Sequence, residues 1–313
     1  MSWNPMTQKV IAKQVLVVGL GLIGGSFAKA LKNNGVCDRV LGSTRSASTL
    51  QKALANGVID WGTITLAEAA AQLHEGDVVL LATPTLTVPQ CLSELKDVLM
   101  RGVIVTDAAS VKGDLAAKAV KLFGRMPAHL VLGHPIAGSE KSGIDAINEN
   151  LYQNHRVILT PSPETNRNSL GKVVQLWESV GAIVSEMSVE EHDRILAATS
   201  HLPHVLAFSL VDALAKRSEQ RDIFTYASGG FRDFTRIAGS DPQMWHDIVL
   251  ANREAILAAL DDFENSLDQL RQAIDARNGH RILQIFTEAK AARDKFSVLL
   301  VEREKNHPAI KKT

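Results

Sequence analysis

Four short segments hold the side chains best suited to chemistry. Gly133-His134-Pro135-Ile136-Ala137-Gly138-Ser139-Glu140-Lys141-Ser142-Gly143 sets a histidine among small residues directly after an apolar run. An imidazole is neutral near pH 7 and suits a general base, although a lone histidine is also a common structural residue. Thr106-Asp107-Ala108-Ala109-Ser110-Val111-Lys112-Gly113 follows another apolar run; read alone, Ser110 is a helix cap. The stretch from Gly229 to Pro242 carries Arg232 and Arg236, able to bind carboxylates or to pair with Asp233 and Asp241 at the surface. In Ser200-His201-Leu202-Pro203-His204 the two histidines share a helix face. That spacing permits a metal, but no third ligand stands at metal spacing, so no metal is expected. A G-x-S-x-G elbow is absent, which removes support for a serine hydrolase.

A cofactor signal lies upstream. Gly19-Leu20-Gly21-Leu22-Ile23-Gly24 has the spacing G-x-G-x-x-G between an apolar β-branched run and a helical pattern. Gly19 permits the tight turn, Gly21 the approach of a pyrophosphate, and Gly24 close helix–strand packing. Leu22 and Ile23 open a helix whose N-terminus faces the anion. Thr83 and Pro84, at the end of another strand, belong to the same expected cofactor edge. After the second strand comes Ser43-Thr44-Arg45-Ser46, without the carboxylate that would bond a ribose 2′-hydroxyl. Hydroxyls and a guanidinium suit a 2′-phosphate, so NADP is favoured over NAD. The alternative is that Arg45 is a solvated helix-start residue or stacks on adenine.

These groups need a scaffold. Apolar runs at residues 13–20, 39–43, 77–83, 103–107, 130–133, 156–160 and 182–186 read as strands. Helical patterns lie between several of them, at 24–33, 47–56, 88–100, 112–122 and 164–180. Near-continuous apolar strands alternating with helices imply a doubly wound, mostly parallel α/β sheet. The character changes near Met187. Long helical patterns follow at 191–216, where Pro203 predicts a kink, then at 241–277 and 281–302. Ser188 with Glu191 fits a capping box. The expected organisation is a dinucleotide-binding domain at 9–187, an all-α substrate and dimerisation domain at 188–304, and a polar tail at 305–313.

Composition agrees with a globular chain. Of 313 residues, 45% are hydrophobic and 22% charged, which argues against global disorder. Lys+Arg and Asp+Glu are 34 each, so no overall charge draws the chain to nucleic acid or anionic membrane. No apolar run approaches the length of a membrane span. Cys37 and Cys91 stand in apolar contexts, as buried free thiols of a reducing compartment would. The N-terminus lacks the apolar core of a secretion signal, and the cytoplasm is the expected location.

Taken in order, the strings GLGLIGGSFAKAL, TDAASVKG, GHPIAGSEKSG, NLYQNHRVILTP, SHLPH and GGFRDFTRIAGSDPQMW resemble the prephenate dehydrogenase family of tyrosine biosynthesis, which includes arogenate and cyclohexadienyl dehydrogenases. The resemblance runs from about Val15 to about Phe263. It implies oxidation of prephenate to 4-hydroxyphenylpyruvate, with loss of CO2 and hydride transfer to a nicotinamide. By the same resemblance His134 pulls on the ring hydroxyl proton and Ser110 orients that hydroxyl. Arg236 grips a carboxylate, and Ser200, His204 and Ser240 line the substrate pocket. Glu140 resembles a gating acid, and Trp245 a residue lent by the partner of a homodimer, although on its own terms Trp245 reads as packing. Arg232 ranks as a secondary anion contact. His204 leans the reading towards prephenate over arogenate. Two departures stand out: Thr44 occupies a position often acidic in the family, and the chain has no room for a fused mutase or regulatory domain, so it resembles the single-function form. A different two-domain dehydrogenase of a small acid would be expected to use a helix-borne lysine, and none appears between SHLPH and Lys216.

Overall fold

The computed structural model describes residues 10–138, 141–217 and 220–306. They form two compact units that divide after Arg253. The first contains an eight-stranded sheet: β1 (Ala12–Val18), β2 (Cys37–Ser43), β3 (Trp61–Thr63), β4 (Val78–Leu81), β5 (Ile104–Asp107), β6 (Leu130–Ile136), β7 (Arg156–Thr160) and β8 (Ile183–Glu186). Their order is β3-β2-β1-β4-β5-β6-β7-β8. Every neighbouring pair is parallel except β6 with β7. This is the doubly wound α/β arrangement, with its strand order reversing between β1 and β4, where such sheets open a crevice for ligands.

The central strands are apolar on both faces because helices cover both. Val15, Val17 and Leu80 pack with Phe27, Tyr152 and Trp177 on one side. Leu16, Val18, Val79 and Leu81 pack with Leu92 and Leu99 on the other. Neighbouring residues of one strand thus belong to opposite cores, as the period of two requires.

Several boundaries differ from the sequence reading, each for a local reason. β3 has three residues, too few to show a period. The helix expected at 88–100 is two pieces, Val88–Glu94 and Lys96–Met100. β6 continues beyond Gly133 to Ile136, so His134 lies on a strand rather than in the following loop. Antiparallel pairing with β7 extends it, matching His134 with Ile158 and Pro135 with Val157. On its other side β6 pairs with β5 only at Leu130 and Val131, which leaves an edge where the missing N–H of Pro135 costs no ladder bond.

Among the described residues no strand follows β8. In the first unit come helices Val189–Leu196, Leu202–Ala215, Gln220–Thr225, Gly229–Thr235 and Pro242–Ala251. A π-helical turn, Ala197–His201, sits between the first two. The kink expected at Pro203 is this widened turn, with Pro203 in the first turn of the helix beyond it. Ser188 caps the start by accepting a hydrogen bond from the Glu191 amide at 3.1 Å. The stretch Val189–Ala215 reaches 27 residues with a mean hydropathy of 1.2 in its most apolar window, long and apolar enough to cross a membrane by length and composition. That corrects the expectation of no such run. His192, Asp193, Ser200, His201 and His204 interrupt its apolar sequence. The second unit consists chiefly of helices Arg253–Asp275 and Gly279–Asn306, on which Leu267, Leu283, Phe286 and Phe296 are each at least 50% exposed.

Candidate active site

The turn after β1 has the form its glycines demand. Gly19 adopts φ 94°, and a Cβ there would run into the Ala82 carbonyl. A Cβ on Gly24 would collide with the Gly19 carbonyl and the Val17 side chain, so only glycine lets the helix Leu22–Asn34 approach the strand. Gly21 meets nothing within 4 Å and faces open space. No side chain caps this helix and no acid stands in its first turn, which leaves its leading amides to an anion. Tyr152 supports the turn from below, donating its hydroxyl to the Ile23 carbonyl at 2.6 Å. Thr83 Oγ1, after β4, is buried beside the Cys91 thiol. Open backbone and bare amides together fit a dinucleotide.

At the end of β2 the Ser43 carbonyl accepts from the Gly19 amide at 2.8 Å, joining the two strand ends. Ser46 is committed as the cap of helix Ala47–Ala55, accepting from Thr49 N at 3.2 Å. Thr44 is half-buried, while Arg45 is exposed with no ion pair among the described residues.

His134 is buried, at 8% exposure. Its Nδ1 lies 2.9 Å from Nε2 of His192, on helix Val189–Leu196. His192 Nδ1 in turn donates to Asp193 Oδ1 at 2.7 Å. Asp193 also accepts the backbone amides of Lys112 at 2.9 Å and Gly113 at 2.7 Å, capping helix Gly113–Phe123 from a distance in sequence. The cap expected of Ser110 is therefore supplied by a carboxylate, and Ser110 is left half-buried beside it. Lys112, fully buried, bonds Asp107 and the Gly133 carbonyl, while Asp107 Oδ1 accepts the Gly133 amide at 3.0 Å. The peptide preceding His134 is thus gripped on both sides.

Electrostatics keep His134 and His201 neutral. Burial, then the neighbouring His192, Lys112 and His201, push the pKa of His134 well below the ordinary value. Burial, partly opposed by Asp193, brings His201 down to about 4. His201 Nδ1 stands 3.0 Å from the Asn252 amide nitrogen, which also donates to the Asp193 carbonyl at 2.9 Å.

The helical segment adds a second set. His204 Nδ1 donates to the Ser200 carbonyl across the π-helical turn at 2.8 Å, and its ring stacks on Trp245 with centroids 3.6 Å apart. Trp245 is buried against Val111 and Ile248. The structure seats it on its own chain's His204. Burial lowers the pKa of His204, the bond to the Ser200 carbonyl opposes this, and the charge of Arg236 lowers it further. Ser240 Oγ donates to the Ile237 carbonyl at 2.7 Å. Arg232 pairs with Asp233 on the exposed surface, the bland alternative of the two it offered. Glu140 lies outside the described residues.

Residues 27–186 match the nucleotide-binding domain of prephenate dehydrogenase, and residues 188–288 match its dimerization domain. The chain is 35% identical to the cyclohexadienyl dehydrogenase of Zymomonas mobilis over 286 residues, covering 90% of this chain and 96% of that one. The chain belongs to the prephenate dehydrogenase family. Within this family, the crystal structure of the prephenate dehydrogenase from Aquifex aeolicus in complex with hydroxyphenyl propionate and NAD+ has a TM-score of 0.84 and 38% identity, covering 94% of this chain and all of that one. The arogenate dehydrogenase of Synechocystis has a TM-score of 0.76 and 30% identity, covering 90% and 99%.

Sequence reasoning missed Asp107, Lys112, His192, Asp193 and Asn252. Asp107 and Lys112 stood in a segment already singled out, and their spacing hid a buried ion pair that only the loop's path creates. His192-Asp193, directly after a capping box, was the available signal for the rest.

The neutral histidines set a stability slope. His134 and His201 have folded pKa values below those of the unfolded chain, so unfolding takes up protons as the pH falls. The His201 contribution is complete above about pH 6.5 and is lost towards about pH 4, at about 1.4 kcal/mol per pH unit, and His134 acts in the same direction. Melting temperature is expected to drop between pH 7 and pH 5, and His201→Gln is expected to flatten that slope. An unchanged melting temperature across this range in the native protein contradicts the assignment.

Proposed function

We propose that this chain converts prephenate to 4-hydroxyphenylpyruvate and CO2 with hydride transfer to a dinucleotide held at the Gly19–Gly24 turn. The observation that carries the reading is a neutral, buried imidazole, His134, held from behind by the helical segment at the ligand edge of a dinucleotide-binding sheet. When bound, the nicotinamide supplies the hydride acceptor.

His134 takes up the hydrogen bond of the ring hydroxyl and draws on its proton as hydride leaves the same carbon. Loss of CO2 leaves its bonding electrons in the ring, so the proton returns to the oxygen and no base is consumed. Ser110, released from capping, orients that hydroxyl. Arg236 binds a substrate carboxylate whose desolvated charge needs a partner. Ser200, His204 and Ser240 shape the helical side of the pocket, with Glu140 as its gate.

Arogenate is the second reading, for which the geometry of His204 offers a contact against the prephenate lean that its presence gave in the sequence. With Nδ1–H committed to the Ser200 carbonyl, neutral His204 presents an acceptor nitrogen, which suits an amino group. For the cofactor we favour NADP, supported by the exposed guanidinium of Arg45 and the lack of a carboxylate at the end of β2. The domains are read as 9–187 for the dinucleotide and 188–304 for substrate and self-association. A homodimer is supported by the match to a dimerization domain and by the exposed apolar side chains of the last two helices.

His134→Asn is expected to cut kcat by about 10²–10⁴-fold, the range a positioned proton acceptor contributes, with both ligands still binding by titration. Near-native kcat overturns the reading. Arg45→Ala is expected to lower kcat/KM for NADP about thirtyfold, the worth of a charge-assisted contact of about 2 kcal/mol, and to leave NAD unchanged. Equal effects on both cofactors remove Arg45 from 2′-phosphate recognition.

A further inference from the structure

We propose that Asp193 and His192 are a positioning pair that fixes His134 in the tautomer with a bare Nε2, and so decides which of its nitrogens can take the substrate proton. The inference rests on the reading of His134 given above.

The argument starts from Asp193. Its carboxylate accepts three hydrogen bonds: the Lys112 amide at Oδ1, the Gly113 amide at Oδ2, and His192 Nδ1 at Oδ1. Burial alone would raise its pKa, but these bonds bring it below the ordinary value. It is therefore ionised and can only accept. The two backbone donors also fix its plane, because they belong to the start of helix Gly113–Phe123. Asn252 holds it from the other side, donating to the Asp193 carbonyl at 2.9 Å.

His192 is fully buried between the two groups it bonds. Facing an obligate acceptor, its Nδ1 must carry a proton. With its proton on Nδ1, His192 offers the Nε2 lone pair, to which His134 Nδ1 donates at 2.9 Å. That places the single proton of neutral His134 on Nδ1 and leaves Nε2 as an acceptor. If Asp193 were absent, the chain of donors could reverse. His192 would then offer its Nε2–H to His134, whose Nε2 would carry the proton and be unable to accept another. The rings stand edge to face at 64°, which suits a lone pair aimed at an N–H across the gap.

The groups facing His134 agree with a neutral ring. Burial and the neighbouring Lys112 oppose positive charge on it, and the Lys112 amine already has Asp107 as its partner. Lys112 and Asp107 together hold the Gly133 peptide, which fixes the backbone of His134 while His192 fixes its ring. His192 and Asp193 contact neither substrate nor dinucleotide in this scheme; they act through His134.

The test joins spectroscopy with variants. The chain has 10 histidines, so ¹⁵N spectra of histidine-labelled native protein are assigned for residue 134 by difference against His134→Asn. The expected result at neutral pH is a protonated Nδ1 and a bare Nε2; the opposite tautomer overturns the proposal without any change to His192. In kinetics with prephenate, His192→Leu is expected to lower kcat by about 10²-fold with KM and dinucleotide affinity close to native, because it cannot accept from Nδ1–H. His192→Gln, whose Oε1 can accept, is expected to recover most of the loss, which a purely structural role would not predict. Near-native kcat in His192→Leu, or no recovery in a folded His192→Gln, overturns the pair's role while leaving His134 in place. Full activity in His134→Asn removes the underlying reading and this proposal together. Should His192→Leu fail to fold, the native spectrum and His192→Gln still decide.

Discussion

A neutral imidazole has one proton for two nitrogens, so the partner of one nitrogen dictates the chemistry of the other. In this chain that constraint joins the two parts of the sequence. His134 comes from the sheet and His192 from the first helix after it, and a 2.9 Å contact between them ties the arrangement of one to the other. A shift of the helix would free His134 to adopt either tautomer. The capping of helix Gly113–Phe123 by Asp193 makes such a shift costly, because an N-terminal cap is worth about 1 kcal/mol and two backbone donors would lose their acceptor.

Burial does two jobs here. It strips water from His134 and His201, which keeps them neutral, and it makes every polar group around them depend on a partner inside the protein. Several have one: Lys112 bonds Asp107 and the Gly133 carbonyl, Asp193 two amides and an imidazole, and Asn252 a carbonyl and His201. The dinucleotide side uses the reverse strategy. There the backbone is left uncapped and open at Gly21, ready for an anion from outside.

Much of this was legible in the sequence. The apolar runs gave seven of the eight strands, because strands buried on both faces need no alternation to be seen. The glycine spacing gave the turn, since each glycine answers a separate steric demand. His134 and Arg236 came from short strings whose order is specific. What stayed hidden depends on contacts between residues far apart in the chain. Asp193 lies 80 residues from Gly113, and no local pattern signals that it caps that helix. β6 passes through His134-Pro135 only because β7 returns beside it, a fact that belongs to pairing and not to propensity. The π-helical turn at Ala197–His201 likewise reflects a compromise between a proline and the helix before it.

The most direct measurement is the pH dependence of kcat/KM for prephenate at saturating dinucleotide, in the native protein and in the residual activity of His134→Gln. The account predicts an acid limb in the native protein with its midpoint below the ordinary histidine value of about 6.5, and no such limb in the variant. A midpoint at or above that value, or the same limb in both proteins, would contradict a buried neutral His134 as the group that takes the substrate proton.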